Sequence, residues 1–177
     1  METAVMAGGC FWCTEAVFRD VIGVTHVESG YIGGTVPDPT YRQICSGTTG
    51  HAEAIRVTFD PELVSYAQLL DVLMATHDPT TLNRQGNDVG TQYRSAIFPL
   101  NHEQRVEAQA AIARANIDHD GRVVTTIEDP APWYPADDYH QAYWEGEGRN
   151  SPYCRAFIPP KLQKLRKSFA GLVKSDV

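Results

Sequence analysis

Near the start of the chain two cysteines stand three residues apart, in the run Gly8-Gly9-Cys10-Phe11-Trp12-Cys13. Three chemistries use that spacing: a zinc knuckle, a thioredoxin-type redox pair, and one nucleophilic thiol with an incidental neighbour. Zinc calls for a second Cys or His pair at close spacing, and Cys45, Cys154 and the six histidines provide none. A C-x-x-C at a helix N-terminus lowers the first thiol's pKa through exposed amides and the macrodipole. The third reading makes Cys10 the sole nucleophile, activated by the same first turn. Phe11 and Trp12 then form an apolar wall beside its sulfur, unless they simply anchor the first helix in the core.

Other residues suit the third reading. Glu53 falls on the apolar parity of a strand, where desolvation raises a carboxyl pKa and makes a proton donor near neutral pH. Tyr41 and Tyr93 are phenols able to donate to a bound oxygen, as is a water positioned by Asp88 in its Gly-Asn-Asp turn. Cys154, on a Gly/Pro-flanked segment, can approach a sulfenic acid on Cys10 and convert it to a disulfide. Cys45 reads as a small buried hydrophobe.

The elements that must position these groups follow from periodicity and punctuation. Residues 3–7 form an apolar run ended by Gly8-Gly9, and a helical pattern spans about 12–20, so the cysteine pair lies at a strand-to-helix junction. A weak strand at 24–31 precedes a Gly/Pro/Thr-rich loop with a helical turn near Tyr41. Residues 51–59 alternate as a strand, with Glu53, Ile55, Val57 and Phe59 on one face. Ser65-x-x-Gln68 is a capping box opening a helix with Leu69, Leu70, Leu73 and Met74 inside. After a polar loop come a strand at 92–98, a helix capped by Asn101 with Val106, Ala110 and Ile112 as apolar anchors, and a last strand at 123–128. Two β-α-β units separated by a loop predict an α+β fold, a ferredoxin-like split βαβ two-layer sandwich with added strands. One domain over 1–177 is expected. Its C-terminal segment, about 130–177, reads as mostly irregular and movable, carries Cys154, and closes in a basic amphipathic helix at 161–169.

Composition narrows the function classes. A formal charge of −7 over 177 residues lacks the basic footprint for nucleic-acid or anionic-membrane binding. The N-terminus has no leader pattern, and no apolar run approaches the roughly 20 residues that span a bilayer. A cytoplasmic protein is expected, in which four cysteines serve catalysis better than a stable disulfide framework.

The motifs GCFW at 9–12, DPTYRQICSG at 38–47, GHAEA at 50–54, RQGNDVGTQYRS at 84–95 and PYC at 152–154, in this order, resemble the A-type peptide-methionine sulfoxide reductases over nearly the whole chain. The resemblance implies reduction of the S epimer of methionine sulfoxide, free or in proteins, with thioredoxin or another dithiol as reductant and no cofactor or metal. It assigns Cys10 as nucleophile, Glu53 as proton donor, Tyr41 and Tyr93 as ligands of the sulfoxide oxygen, Asp88 as a helper, and Phe11 with Trp12 as the methyl pocket. Many members carry Gly at the position of Cys13. Cys154 is the expected resolving thiol, because i,i+3 Cβ atoms in a regular helix lie about 5–6 Å apart against about 3.8 Å in a disulfide. Cys13 is the alternative. A monomer is expected. The rival classes are a general dithiol-disulfide oxidoreductase and a peptide-binding module without chemistry.

Overall fold

The computed structural model describes residues 1–174; the last three residues of the expected C-terminal segment lie outside the described residues. The elements are β1 (Glu2–Gly8), α1 (Phe11–Arg19), β2 (Val24–Ile32), α2 (Tyr41–Cys45), β3 (Ala52–Phe59), α3 (Tyr66–Thr76), β4 (Arg84–Gln85), β5 (Asp88–Val89), β6 (Ser95–Phe98), α4 (His102–Asp118), β7 (Thr126–Ile127), β8 (Tyr134–Pro135) and α5 (Pro152–Ser168). Six strands form one sheet in the order β7-β6-β1-β3-β2-β8. The four central strands are antiparallel throughout, β7 runs parallel to β6, and β4 with β5 makes a separate hairpin. β8, an edge strand two residues long, carries too little periodicity to be legible in sequence.

The helices form a layer over one sheet face. Phe11, Phe18, Leu69, Leu70, Leu73 and Leu165 join Met6, Ile55, Val57 and Phe59 from the strands in the larger core. The opposite face is smaller, built of residues such as Val5, Ala54 and Phe98 and covered by Ala131 and Trp133 from the chain before β8. Both faces of β3 are therefore buried, which is why Ala52 and Ala54 are as inaccessible as Ile55 and Val57. The capping box of α3 forms as expected: Ser65 Oγ accepts from Gln68 N at 3.1 Å and Gln68 Oε1 from Ser65 N at 2.9 Å.

Two expectations are corrected here. The buried stripe of α4 is Gln104, Ala108, Ala111 and Ala115, while Val106 is 49% exposed and Ala110 faces solvent; Ile112 alone of the expected anchors packs on the core. Close approach to α3 selects the alanine face, so small size wins over apolar area. The C-terminal helix begins at Pro152 rather than near 161, with Ser151 as its N-cap and Pro152 in its first turn. Ser-Pro at the start of a helix was a readable signal. The internal Pro159-Pro160 pair, which removes two ladder donors, argues against a helix there. Tertiary packing overrides it: Cys154, Ile158, Leu162 and Leu165 form a buried stripe, and α5 packs against α1 and α3.

Candidate active site

Strand β1 delivers Cys10 through Gly8 and Gly9. Gly9 has φ +92°, and a Cβ there would lie 2.6 Å from the side chain of Gln85, which is itself tied to Asp78 through its Nε2 and Oε1. We expect Gly9→Ala to lose about 1–3 kcal/mol of stability through backbone strain, readable in urea unfolding; an unchanged midpoint would show that the loop yields freely. Cys10 is the N-cap of α1 and is partly exposed, while Phe11 is 1% exposed and Trp12 half-buried.

Period-two alternation carries Glu53 inward as expected: the residue is 2% exposed, opposite Tyr31 on β2. Its Oε1 accepts from Phe11 N at 3.2 Å, which ties the carboxyl to the first turn of α1 and thus to Cys10. Burial pushes its pKa up to about 8, outweighing the Phe11 amide. Glu53 therefore holds a proton at neutral pH.

The thiol did not follow the helix-terminus expectation. Cys10 is held well above the ordinary cysteine value by a hydrogen bond with Cys13, by burial and by Glu53, against a lowering contribution from the Trp12 amide. The resting site thus stores Cys10 as a thiol; the partial charge of a nine-residue helix end is smaller than these combined effects.

Tyr41 opens α2, whose Thr40–Gln43 capping box fixes its place: Thr40 Oγ1 accepts from Gln43 N at 3.2 Å and Gln43 Oε1 from Thr40 N at 2.8 Å. Tyr93 ends a short 3-10 turn, Thr91–Tyr93, that leads into β6. Burial, with Glu53 next in weight, holds both phenols above their ordinary pKa, so each keeps a hydroxyl proton to donate. Asp88, in the β4–β5 hairpin, accepts a hydrogen bond from the Tyr153 hydroxyl. Cys45 is exposed at the end of α2, contrary to the expectation of a buried hydrophobe, because that one-turn helix turns Ile44, with Tyr41 partly buried beside it, toward the core. Cys154 is fully buried on α5 and does not ride on an irregular segment.

Sequence reasoning missed the cover of the site. The chain after β8 brings His140 and Tyr143 onto the aromatic pair. Trp12 Nε1 donates to His140 Nδ1 at 3.1 Å, and Tyr143 stacks on Trp12 with ring centroids 4.1 Å apart. His140 also lies 4.4 Å from Tyr41 and 5.3 Å from Phe11. Burial lowers the His140 pKa, so the ring is a neutral member of this cluster. Clustered Tyr, His and Trp in the segment Tyr139–Trp144 were the only hint in sequence.

An α+β frame that presents a partly exposed thiol beside a protonated buried carboxyl and two protonated phenols defines a thiol-dependent oxidoreductase site. The family model described as "Peptide methionine sulfoxide reductase" matches residues 2–172. The chain belongs to that family, and its activity is the reduction of methionine sulfoxide, a protein-repair chemistry. The "Peptide methionine sulfoxide reductase MsrA" of Erwinia tasmaniensis is 66% identical over 170 residues, covering 96% of both chains. That of Deinococcus radiodurans is 58% identical, covering 98% of this chain and 84% of the relative. Among solved structures, Mxr1 from Saccharomyces cerevisiae in reduced form superposes with a TM-score of 0.81 at 30% identity, covering 88% of this chain and 90% of that one. Methionine sulfoxide reductase A of Corynebacterium diphtheriae does so at 0.72 and 37%, with 81% and 74% covered. Mxr1 has also been crystallised in complex with Trx2; that chain shares the fold at 22% identity and a TM-score of 0.58, over 80% of this chain and 84% of it.

Proposed function

We propose that this chain reduces the S epimer of methionine sulfoxide, free or in proteins, through a sulfenic acid on Cys10 and then an intramolecular disulfide that thioredoxin reduces. The observation that carries the reading is Glu53, buried, protonated up to about pH 8 and bonded to the residue after Cys10. Sulfoxide oxygen is a poor leaving group, so attack on sulfur needs that oxygen protonated and held. Glu53 supplies the proton, and Tyr41 and Tyr93 hold the oxygen. The Cys10 thiolate attacks the sulfoxide sulfur, the oxygen passes to Cys10 as hydroxyl, and methionine leaves. Cys10 sulfur is oxidised by two electrons and methionine sulfur reduced by two. Trp12, with Phe11 behind it, receives the methyl group, and Asp88 with its Tyr153 partner orders water near the thiol. A second thiol, Cys154 or Cys13, then displaces water from the sulfenic acid.

Thioredoxin as reductant is supported by the crystallised Mxr1–Trx2 complex. The strand order β6-β1-β3-β2, with α1 and α3 as crossovers, supports the ferredoxin-like description, and a family match from residue 2 to 172 supports a single reductase domain. Four free cysteines suit a reducing cytoplasm, and no described helix is long and apolar enough to cross a membrane. We read the enzyme as a monomer.

The test is incubation with racemic methionine sulfoxide and dithiothreitol, followed by chiral chromatography. Loss of the S epimer alone is expected. Loss of the R epimer, or disulfide reduction in insulin without sulfoxide loss, would overturn the proposal.

A further inference from the structure

Lys161 is a cation without an obvious anion. It belongs to the inward side of α5, about two turns beyond Cys154. Its Nζ donates to Thr76 O at 2.6 Å, at the C-terminal end of α3. Among the described residues no carboxylate lies within ion-pair distance of it. A cation drawn from water wants a compensating negative charge nearby. Lys161 lines a small cavity of about 50 Å³ together with Cys10, Cys13, Asp88 and Tyr153. Asp88 is engaged by the Tyr153 hydroxyl. Within this cavity the acids left to answer the ammonium are the two thiols; Asp78 bears on Lys161 from a separate, open pocket.

Of these, Cys13 is the better placed. Cys10 is an N-cap and Cys13 is N3, the two positions whose groups meet in a capping box, because an N-cap side chain turns back over the first turn. That turn is tight: Cys13 N and Thr14 N both donate to Cys10 O, at 3.1 and 3.3 Å. Cys10, having φ −56° and ψ 124°, lies outside the helix proper, so the spacing of two residues within a regular helix does not apply to the pair. Both thiols line the same cavity.

We propose that Lys161 is the counter-ion of a Cys13 thiolate, and that Cys13 captures the sulfenic acid on Cys10 before Cys154 takes over the disulfide. The proposal rests on the sulfenic acid chemistry proposed above. In the first exchange the Cys13 thiolate attacks Cys10 sulfur; an S–S bond forms, the Cys10 S–O bond breaks, and the hydroxide leaves as water with the proton that Cys13 gave up. In the second, the Cys154 thiolate attacks Cys13 sulfur and Cys10 departs as the thiol, ready for another substrate. A dithiol reductant then reduces the Cys13–Cys154 bond and is itself oxidised by two electrons.

The charges around the thiols agree with this order. The groups that act on Cys13 are Cys10 from the N-cap, Glu53 from β3, Asp88 from β5, and Tyr153, Cys154 and Lys161 from α5; Asp78 and Lys164 act on Lys161 and share a second pocket with it. The hydrogen bond from Cys10 and then the Lys161 ammonium bring the Cys13 thiol down, against burial and Asp88. Burial and then Cys13 raise the Cys154 thiol, against its Ser151 hydrogen bond. The thiolate fraction is one determinant of which thiol attacks first.

A purely structural role, in which Lys161 only caps α3, makes different predictions. The experiment is a single turnover on methionine sulfoxide without reductant, quenched in acid, alkylated and mapped by mass spectrometry, with methionine, sulfenic acid and each disulfide read separately. In the wild type, methionine is expected first, then Cys10–Cys13, then Cys13–Cys154. In Lys161→Met the first disulfide should lag methionine release by about tenfold more at neutral pH, and the midpoint of its pH profile should rise by about one unit or more. Lys161→Arg should restore the midpoint, and Lys164→Met, removing an exposed charge one turn on, should leave it in place. A first disulfide of Cys10–Cys154 in the wild type, or an unmoved midpoint in Lys161→Met, overturns the proposal. Absence of methionine in the wild type instead overturns the function on which it rests.

Discussion

Glu53→Gln is expected to slow single-turnover formation of methionine by about 10²- to 10⁴-fold, the usual scale of general acid catalysis, while making the folded protein more stable in alkaline solution. Both effects come from one cause. The folded protein holds the Glu53 proton up to about pH 8, whereas the unfolded chain releases it near the ordinary carboxylate value of 4.5. Between those pH values the native state binds more protons than the unfolded state, so stability falls as pH rises through the window and levels off above it. The amide of the variant keeps an oxygen for the Phe11 N–H and carries no charge to bury. Its advantage should grow from pH 5 to pH 9 to on the order of a few kcal/mol, measured by urea unfolding at both ends. The rate profile carries a second signature. In the wild type the rate rises with pH as Cys10 ionises and flattens at about 8, where Glu53 loses its proton; in the variant the rise continues beyond 8. Wild-type rates in a folded Glu53→Gln protein would remove Glu53 from the chemistry.

Glu15→Ala should be the most destabilising change away from the reacting atoms. Glu15 lies on α1 and is 1% exposed. Its Oε1 accepts from Arg19 Nε at 2.8 Å and from Ala142 N, and its Oε2 accepts from Ser29 Oγ at 2.6 Å. One carboxylate thus ties α1, β2 and the chain after β8 together. Truncation leaves the buried Ser29 hydroxyl and the partly buried Ala142 amide unpaired, while Arg19, 31% exposed, keeps Val27 O and Glu145 and recovers part of its hydration. A loss of about 3 kcal/mol is expected, or roughly a 10 °C fall in Tm for a chain of this length. Ala142, at φ +51°, stands between His140 and Tyr143, the residues that close over Trp12. Releasing it should raise KM more than it lowers the chemical step. Thermal unfolding and steady-state kinetics on methionine sulfoxide check both parts; a loss below about 1 kcal/mol would mean that water replaces the carboxylate.

Much of the site was legible because its signals are local. Cys10 at a strand-to-helix junction follows from an apolar run, two glycines and a helical pattern. Glu53 inside follows from period-two alternation with Ile55, Val57 and Phe59. The caps at Ser65 and Asn101 are written in residues three apart and form as read. Where a second surface chooses, the reading strayed. The face of α4 was assigned by apolar size, yet α3 accepts its alanines. The start of α5 was hidden by Pro159-Pro160, although a buried stripe from Cys154 to Leu165 holds the helix together.

The sequence by itself determined the chemical class: one thiol at a helix start, one inward carboxyl, and phenols within capped or turn-bound segments, since each depends on residues within about one turn or one strand of its neighbours. Only the tertiary structure decided the strand order, the His140–Tyr143 cover, the exposure of Cys45, the burial of Cys154 and the cavity that Lys161 shares with Cys13. It also decided that Cys10 rests as a thiol while Glu53 keeps its proton to about pH 8. Protonation is set by desolvation and by charges contributed from distant segments, and neither is a property of the local chain.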